Sequence, residues 1–230
     1  MKQPDGRLLA AADLVRQGAV LADIGTDHAL LPVFLCQNNK ISRAVASDIG
    51  EGPLAAARRQ VEMAGLGEKI KLHLGDGLDG LDGEGVTDVA ICGMGGELIA
   101  DILARAPFVK DASLRLVLQP MTHARDLREY LAREGFAIVE ERLALAAEKS
   151  YFVLAAEYTG VPYALSPIEA VLGKDNLAHR AHDALFVRML EKEIKAQRKR
   201  CEGLRAGGVP DGEADALLYS LLHYKEEHGL

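Results

Sequence analysis

Four aspartates stand at the ends of three apolar runs in the first third of the chain, where a carboxylate could hold a cofactor. Asp23 and Asp27 flank Gly25 in AVLADIGTDHALL at 19–31, Asp48 ends ISRAVASD at 41–48, and Asp76 sits in Gly75-Asp76-Gly77. An acid in the place of Asp48 can accept hydrogen bonds from the two ribose hydroxyls of an adenosine-containing cofactor; its other use is as the N-cap of the helix that follows. Asp76 can accept from an adenine amino group while Gly77 leaves room for the ring, or the dipeptide can be a plain turn. The first loop separates the two cofactor classes that carry adenosine. A nicotinamide dinucleotide brings a pyrophosphate and calls for G-x-G-x-x-G, whereas here Gly25 is followed by Thr26, Asp27 and His28. Acids repel a pyrophosphate. S-adenosylmethionine has no phosphate, and its ammonium and sulfonium tolerate an acidic crevice.

The elements that must carry these residues alternate. A helix is expected over 7–17, then strand 19–24 and a helix to about 38, strand 41–48 and a helix over 52–63 with Pro53 in its first turn. Strand 69–74 follows, then strand 86–92, Gly93-Met94-Gly95-Gly96, a helix over 97–105, strand 114–118 and a helix over 123–134. Two final strands, 136–145 and 150–158, are joined by a short turn. The pattern predicts five βα units and a closing hairpin: an α/β, Rossmann-like domain with a mostly parallel sheet, one antiparallel strand set into it, and ligands at the carboxyl ends of the strands. The hairpin favours the methyltransferase variant of that fold.

After Thr159-Gly160-Val161-Pro162 the pattern turns helical, so residues 1–160 and 161–230 are expected as separate domains. Val187, Leu190, Ile194, Gln197, Cys201 and Leu204 recur at coiled-coil spacing, and Leu217, Leu221 and Tyr224 repeat it after a Gly-rich turn. A small all-α helical hairpin is expected. The chain carries a net charge of -7, with -6 in residues 1–160 and -1 beyond, which excludes a protein that coats nucleic acid over its whole surface. Lys192, Lys195, Arg198, Lys199 and Arg200 nevertheless form a local basic stripe, whose simplest meaning is a solvated helix face. Cys36, Cys92 and Cys201 make no C-x-x-C pair, so no disulfide framework and no metal site is expected. No apolar run reaches the ~18 residues of a membrane span, and the first residues lack a signal segment, which fits a cytoplasmic protein.

ADIGTDHALLP at 22–32, ASDIGEGPLAAA at 46–57, GDGL at 75–78, ICGMGGELI at 91–99 and LQP at 118–120 together resemble the bacterial tRNA (adenine-N1)-methyltransferases that modify adenine 22. The resemblance covers the α/β domain, and the helical hairpin stands where that family has its coiled-coil-like C-terminal domain. It implies S-adenosyl-L-methionine as cofactor and tRNA as substrate. It places Asp23, Gly25 and His28 on the first cofactor motif, Asp48 and Ile49 on the ribose-binding acid, Asp76 and Gly77 on the adenine turn, and Gly93, Met94 and Gly95 beside the target base. The family pattern reads L-Q-P-N where this chain has Met121, so a polar role there is either lost or moved to Gln119, next to Pro120. Adenine N1 has a free lone pair at neutral pH, so positioning in a water-poor pocket is the main demand. Asp27 is the candidate to stabilise the cationic product ring, and His28 a cofactor contact or helix-start packing residue. Extrusion of the adenine requires grip on the backbone around it, for which Arg125, Arg128, Lys192, Lys195, Arg198, Lys199 and Arg200 are the candidates. The expected state is a monomer, with dimerisation through the hairpin as the alternative use of that element. The competing functions are methylation of another nucleoside or small molecule, and non-catalytic RNA binding on a methyltransferase-like fold.

Overall fold

The computed structural model describes residues 3–209 and 211–230, and the chain folds as two compact units, Met1–Ala164 and Leu165–Leu230. The division falls four residues beyond the boundary expected from composition. In the first unit α1 (Gly6–Leu14) precedes β1 (Ala19–Ile24), α2 (Leu30–Gln37), β2 (Ile41–Asp48), α3 (Glu51–Met63) and β3 (Ile70–Leu74). Then come β4 (Asp88–Gly95), α4 (Gly96–Ala104), β5 (Arg115–Thr122), α5 (Ala124–Arg133), β6 (Phe136–Ala146) and β7 (Lys149–Tyr158). The seven strands lie in the order β3-β2-β1-β4-β5-β7-β6, and β7 alone runs antiparallel to both its neighbours. That is the mixed sheet the hairpin implied.

The expectation of five βα units fails at one place. β3 reaches β4 through residues 75–87, which contain turns and no helix, because glycines and aspartates fill that stretch and no apolar stripe is available to bury. The sheet is covered on both faces. One cluster packs α1 and α2 through Leu14, Leu31 and Leu35 against Leu21 and Val117; the other packs α4 and α5 through Ile99, Leu103, Leu127 and Leu131 against Val89, Leu116 and Leu118. Both faces of β1, β4 and β5 are therefore dry, which leaves strand ends as the places where polar groups can meet a ligand.

The second unit holds more than a hairpin. α6 (Pro167–Leu172) and α7 (Lys174–His179) are two short helices divided at Gly173, and α8 (Ala184–Ala206) and α9 (Gly212–Glu227) form the long antiparallel pair. On α8 the buried residues are Phe186, Leu190, Ile194, Gln197 and Cys201. Phe186 takes the place expected for Val187 and Leu204 is only half-buried. Gln197 is satisfied in the seam, donating from Nε2 to Ala214 O of α9 at 2.9 Å. No helix among the described residues is long and apolar enough to cross a membrane.

Candidate active site

The chain leaves β1 in one direction to build β2 and β3 and returns to β4 and β5 on the other side, so the carboxyl ends of β1 and β4 bound the crevice in which open α/β sheets bind ligands. The β1 end is built around Asp23, which is 5% exposed and accepts a hydrogen bond from Thr26 Oγ1 at 2.6 Å. Burial pushes its carboxyl up to about 7; the Thr26 hydrogen bond opposes this and the Asp48 charge adds to it. Gly25 turns the chain at φ 69°, and a Cβ there would overlap the Met94 methyl group. Glycine takes the left-handed turn without strain, and a larger residue would have to push the Met94 side chain aside. His28 and Ala29 also hold left-handed backbone, with φ 61° and 51°, so α2 starts at Leu30 with no side-chain cap. Such strain in non-glycine residues gathers where a loop is held in shape by its surroundings. The exposed carboxylate of Asp27 lies 3.3 Å from His28 Nε2.

At β2, Asp48 Oδ1 accepts from Gly50 N at 2.8 Å, while the N-cap of α3 is Gly50 with no side-chain cap. Asp48 thus orders the loop without capping the helix, and beside it Ile49 is 75% exposed. At β3, Asp76 is held by both Arg105 nitrogens, at 2.8 and 3.2 Å, and this ion pair keeps its carboxyl below the usual range. Gly77 at φ 61° packs against Ile102, where a Cβ would stand 3.0 Å from a methyl group. Arg105 was not foreseen from the sequence.

Glycine in Gly93-Met94-Gly95 and proline in Gln119-Pro120 signal strand ends, but β4 and β5 run through both motifs. Cys92 pairs with Gln119, Met94 with Pro120 and Gly95 with Thr122, with register shifts on either side of Met94. Gln119 is fully buried: its Oε1 accepts from Gly93 N at 3.1 Å and its Nε2 donates to Pro120 O at 2.9 Å. Its amide therefore clamps the two motifs together instead of standing ready for a base, which corrects its expected role to positioning. Gly96 admits no side chain, since a Cβ would collide with His123 O.

The N-terminal segment reaches this crevice, which no motif in the chain announced. Asp5 caps α1 by accepting from Arg7 N and Leu8 N, and its other oxygen accepts from Arg7 Nη2 at 2.6 Å. Arg7 also lies 5.4 Å from the Tyr151 ring centroid and points Nη1 at Met121 Sδ at 2.9 Å. Residues 3–8 join Asp23, Gly25, Asp27, Gly93 and Gln119 around a cleft of about 320 Å³. Among the described residues lining that cleft, Arg7 is the only cation, set against Asp5, Asp23 and Asp27. Asp48, Asp76 and Gly77 belong to the neighbouring strand ends outside this cleft.

One of the expected tRNA contacts needs correction. Arg128 is fully buried, donating to Glu141 Oε1 from Nε at 2.9 Å and from Nη2 at 2.8 Å, with its guanidinium 4.3 Å from the Phe152 ring centroid. It cannot reach a substrate. Arg200 is tied to Asp211 Oδ2 at 3.2 Å, at the N-cap of α9. Arg125 is on the surface and donates to Glu129 at 2.8 Å. Lys195, Arg198 and Lys199 line a groove of about 540 Å³ on the α8–α9 pair, together with Glu191, Ile194, Glu202, Leu222 and Lys225. Lys192 is exposed on the same helix. A separate surface cluster joins His123, Asp126 and Glu97; Asp126 at 2.8 Å, followed by the Glu97 charge, raises the His123 imidazole pKa.

The methyltransferase domain family matches residues 5–154. The tRNA (adenine(22)-N(1))-methyltransferase of Bacillus subtilis is 42% identical over 151 residues, a match that spans 66% of this chain and 63% of that protein. Among solved structures, the B. subtilis M1A22 tRNA methyltransferase TrmK superposes with a TM-score of 0.80 at 33% identity, covering 99% of this chain and 97% of its own. Streptococcus pneumoniae Sp1610 in complex with S-adenosyl-L-methionine gives 0.82 at 32% identity, covering 95% and 97%. The sheet order, the strand-end acids and these matches agree, and the chain belongs to the methyltransferase domain family and, within it, to the TrmK family of tRNA (adenine-22-N1)-methyltransferases.

Proposed function

We propose that this protein transfers a methyl group from S-adenosyl-L-methionine to N1 of adenine 22 in tRNA. The observation that carries the reading is the cleft at the switch point: three carboxylates and one guanidinium around about 320 Å³, beside Gly25, over which the Met94 methyl group lies. A ligand for it is small, carries both charges and has no phosphate. The amino-acid end of S-adenosylmethionine fits that description: Asp23 would hold the ammonium and Arg7 the carboxylate. Asp48 and Ile49 would hold the ribose, and Asp76 with Gly77 the adenine. The likeness to tRNA (adenine-22-N1)-methyltransferases supports tRNA as the substrate and N1 as the atom methylated.

When bound, the cofactor supplies an electrophilic methyl group on a sulfonium; the rest of the chemistry is positioning. The target N1 carries its own lone pair at neutral pH, so no side chain has to remove a proton. Gln119 fixes Gly93 and holds the ends of β4 and β5 in register, and Met94, lying over Gly25, closes the space between the cofactor loop and that edge. The product ring is a cation, and Asp27 at the lip of the cleft stabilises the charge as it develops. Lys192, Lys195, Arg198 and Lys199 would neutralise tRNA phosphates.

The deciding experiment is methyl transfer from labelled S-adenosylmethionine to an unmodified tRNA and to the same tRNA with adenine 22 changed to guanine. Label recovered as N1-methyladenosine from the first and absent from the second is the expected result. Label at another position moves the site, and cofactor binding without transfer rejects tRNA as the substrate.

A further inference from the structure

The groove on the second unit has a feature the phosphate-grip reading does not use. Tyr219 on α9 is 70% exposed, and its hydroxyl has no partner among the described residues. Its ring stacks on that of His223 one turn later, with centroids 5.8 Å apart and 13° between the planes, and His223 Nε2 lies 3.3 Å from Glu227. The three rings and charges Tyr219, His223 and Glu227 follow at i, i+4 and i+8, so the chain of contacts holds the tyrosine in one orientation and leaves its other face to solvent.

The surroundings say what that face suits. Helical geometry puts Tyr219 one turn before Leu222 and about 60° round α9 from it, and Leu222 with Ile194 is the apolar floor of the groove rimmed by Lys195, Arg198 and Lys199. These three cations have no ion-pair partner among the described residues, unlike Arg200, Arg205 and Lys225, which are held by Asp211, Asp215 and Glu191. An exposed aromatic face on the helix that lends Leu222 and Lys225 to a groove of four cations and two carboxylates, Glu191 and Glu202, suits a nucleotide, whose base offers a π-face and whose phosphate meets the net positive charge. We propose that Tyr219, stacked on His223, is a platform for an unpaired base of the RNA substrate, on the helix that lends Leu222 and Lys225 to the cationic groove. It rests on the tRNA reading above and adds a residue that reads a base face instead of the backbone.

The test is binding of an unmodified tRNA carrying adenine 22 to the full chain, with Kd measured at several salt concentrations for wild type, Tyr219→Ala, Tyr219→Phe and the double variant Lys195→Gln/Lys199→Gln. Tyr219→Ala is expected to weaken binding about tenfold, the size of one lost base–aromatic stack, with the slope of log Kd against log salt unchanged. Tyr219→Phe keeps the ring and is expected within about twofold of wild type. The lysine variant flattens the salt slope by about 1.5, because two phosphate contacts go. Tyr219→Ala binding like wild type overturns the platform, as does Tyr219→Phe binding as weakly as Tyr219→Ala. Wild type that sediments as a dimer which Tyr219→Ala dissociates assigns the face to a second copy and overturns it too. Wild type with no affinity for tRNA removes the substrate reading itself, and is thereby distinct from a platform that fails alone.

Discussion

The Thr26 hydroxyl donates to the Asp23 carboxylate at 2.6 Å, and this hydrogen bond is the main compensation for a carboxyl group that is 5% exposed. It is not enough, because the Asp23 pKa stands at about 7, above the ordinary 3.8. A proton is therefore bound more tightly in the folded chain than in the unfolded one, and stability falls as pH rises from about 4 to about 7. The lost stability totals roughly 4 kcal/mol and is complete above pH 7. Asp23→Asn keeps an acceptor for Thr26 without the charge, so the ligand-free variant should melt higher than wild type at pH 8 and close to it at pH 4.5. The same group gives cofactor binding a pH dependence. The ammonium needs the ionised form, so affinity should rise with pH by up to about tenfold per unit below 7 and level off above it. Calorimetry at pH 6 in buffers of different ionisation heat should show proton release on binding, and an affinity independent of pH from 5.5 to 8 would detach Asp23 from the ammonium.

Arg7 is the cation of an otherwise acidic cleft, and its bond to Asp5 at 2.6 Å leaves other guanidinium hydrogens for a ligand carboxylate. Arg7→Ala should weaken S-adenosylmethionine binding by roughly 10- to 100-fold, the range of a charge-assisted hydrogen bond. Its loss also removes an interaction with one particular group, which a cycle can isolate. Decarboxylated S-adenosylmethionine should bind wild type weakly, and Arg7→Ala should bind it about as well as the intact cofactor. A variant that still discriminates between the two places the carboxylate elsewhere.

Asp23, Asp48 and Asp76 could be found in the sequence because each closes an apolar run and the runs alternate with helical patterns; position along the chain maps onto position along the sheet edge. Arg7 could not. It reaches the cleft because α1 folds back across β5, β6 and β7, and nothing local in Gly6-Arg7-Leu8 announces that contact. The extended path of Gly93-Met94-Gly95 and Gln119-Pro120 was hidden for a different reason: glycine and proline signal turns, and here the pairing of β4 with β5 overrides the local preference. Arg128 was misplaced because an arginine on an amphipathic helix is normally solvated, while the residue that makes its burial tolerable, Glu141, stands on β6.

That buried pair carries its own prediction. Neither Arg128 nor Glu141 is exposed, so removing one partner strands the other charge in a dry site. Arg128→Ala should cost about 3–5 kcal/mol and lower the melting temperature by roughly 10 °C. Arg128→Met keeps the packing against Phe152 but strands Glu141 equally, so only the double variant Arg128→Met/Glu141→Leu should recover most of the loss. tRNA affinity of the folded Arg128→Met/Glu141→Leu protein should equal that of wild type; a weakened affinity would return Arg128 to the substrate surface.

Asp27 differs from Asp23 in the property that matters for catalysis, since its side chain is 72% exposed at the lip of the cleft. An exposed carboxylate pays no burial cost for its charge. It is therefore suited to a charge that appears only during reaction, when adenine becomes a cation. An interaction present in the transition state and absent from the cofactor complex changes kcat and leaves the cofactor KM alone. Asp27→Asn should lower kcat by about 10- to 100-fold, with the KM for S-adenosylmethionine within about threefold of wild type. A variant with unchanged kcat and a raised KM would instead make Asp27 a cofactor-binding residue, and the stabilising charge would have to come from another group at the cleft.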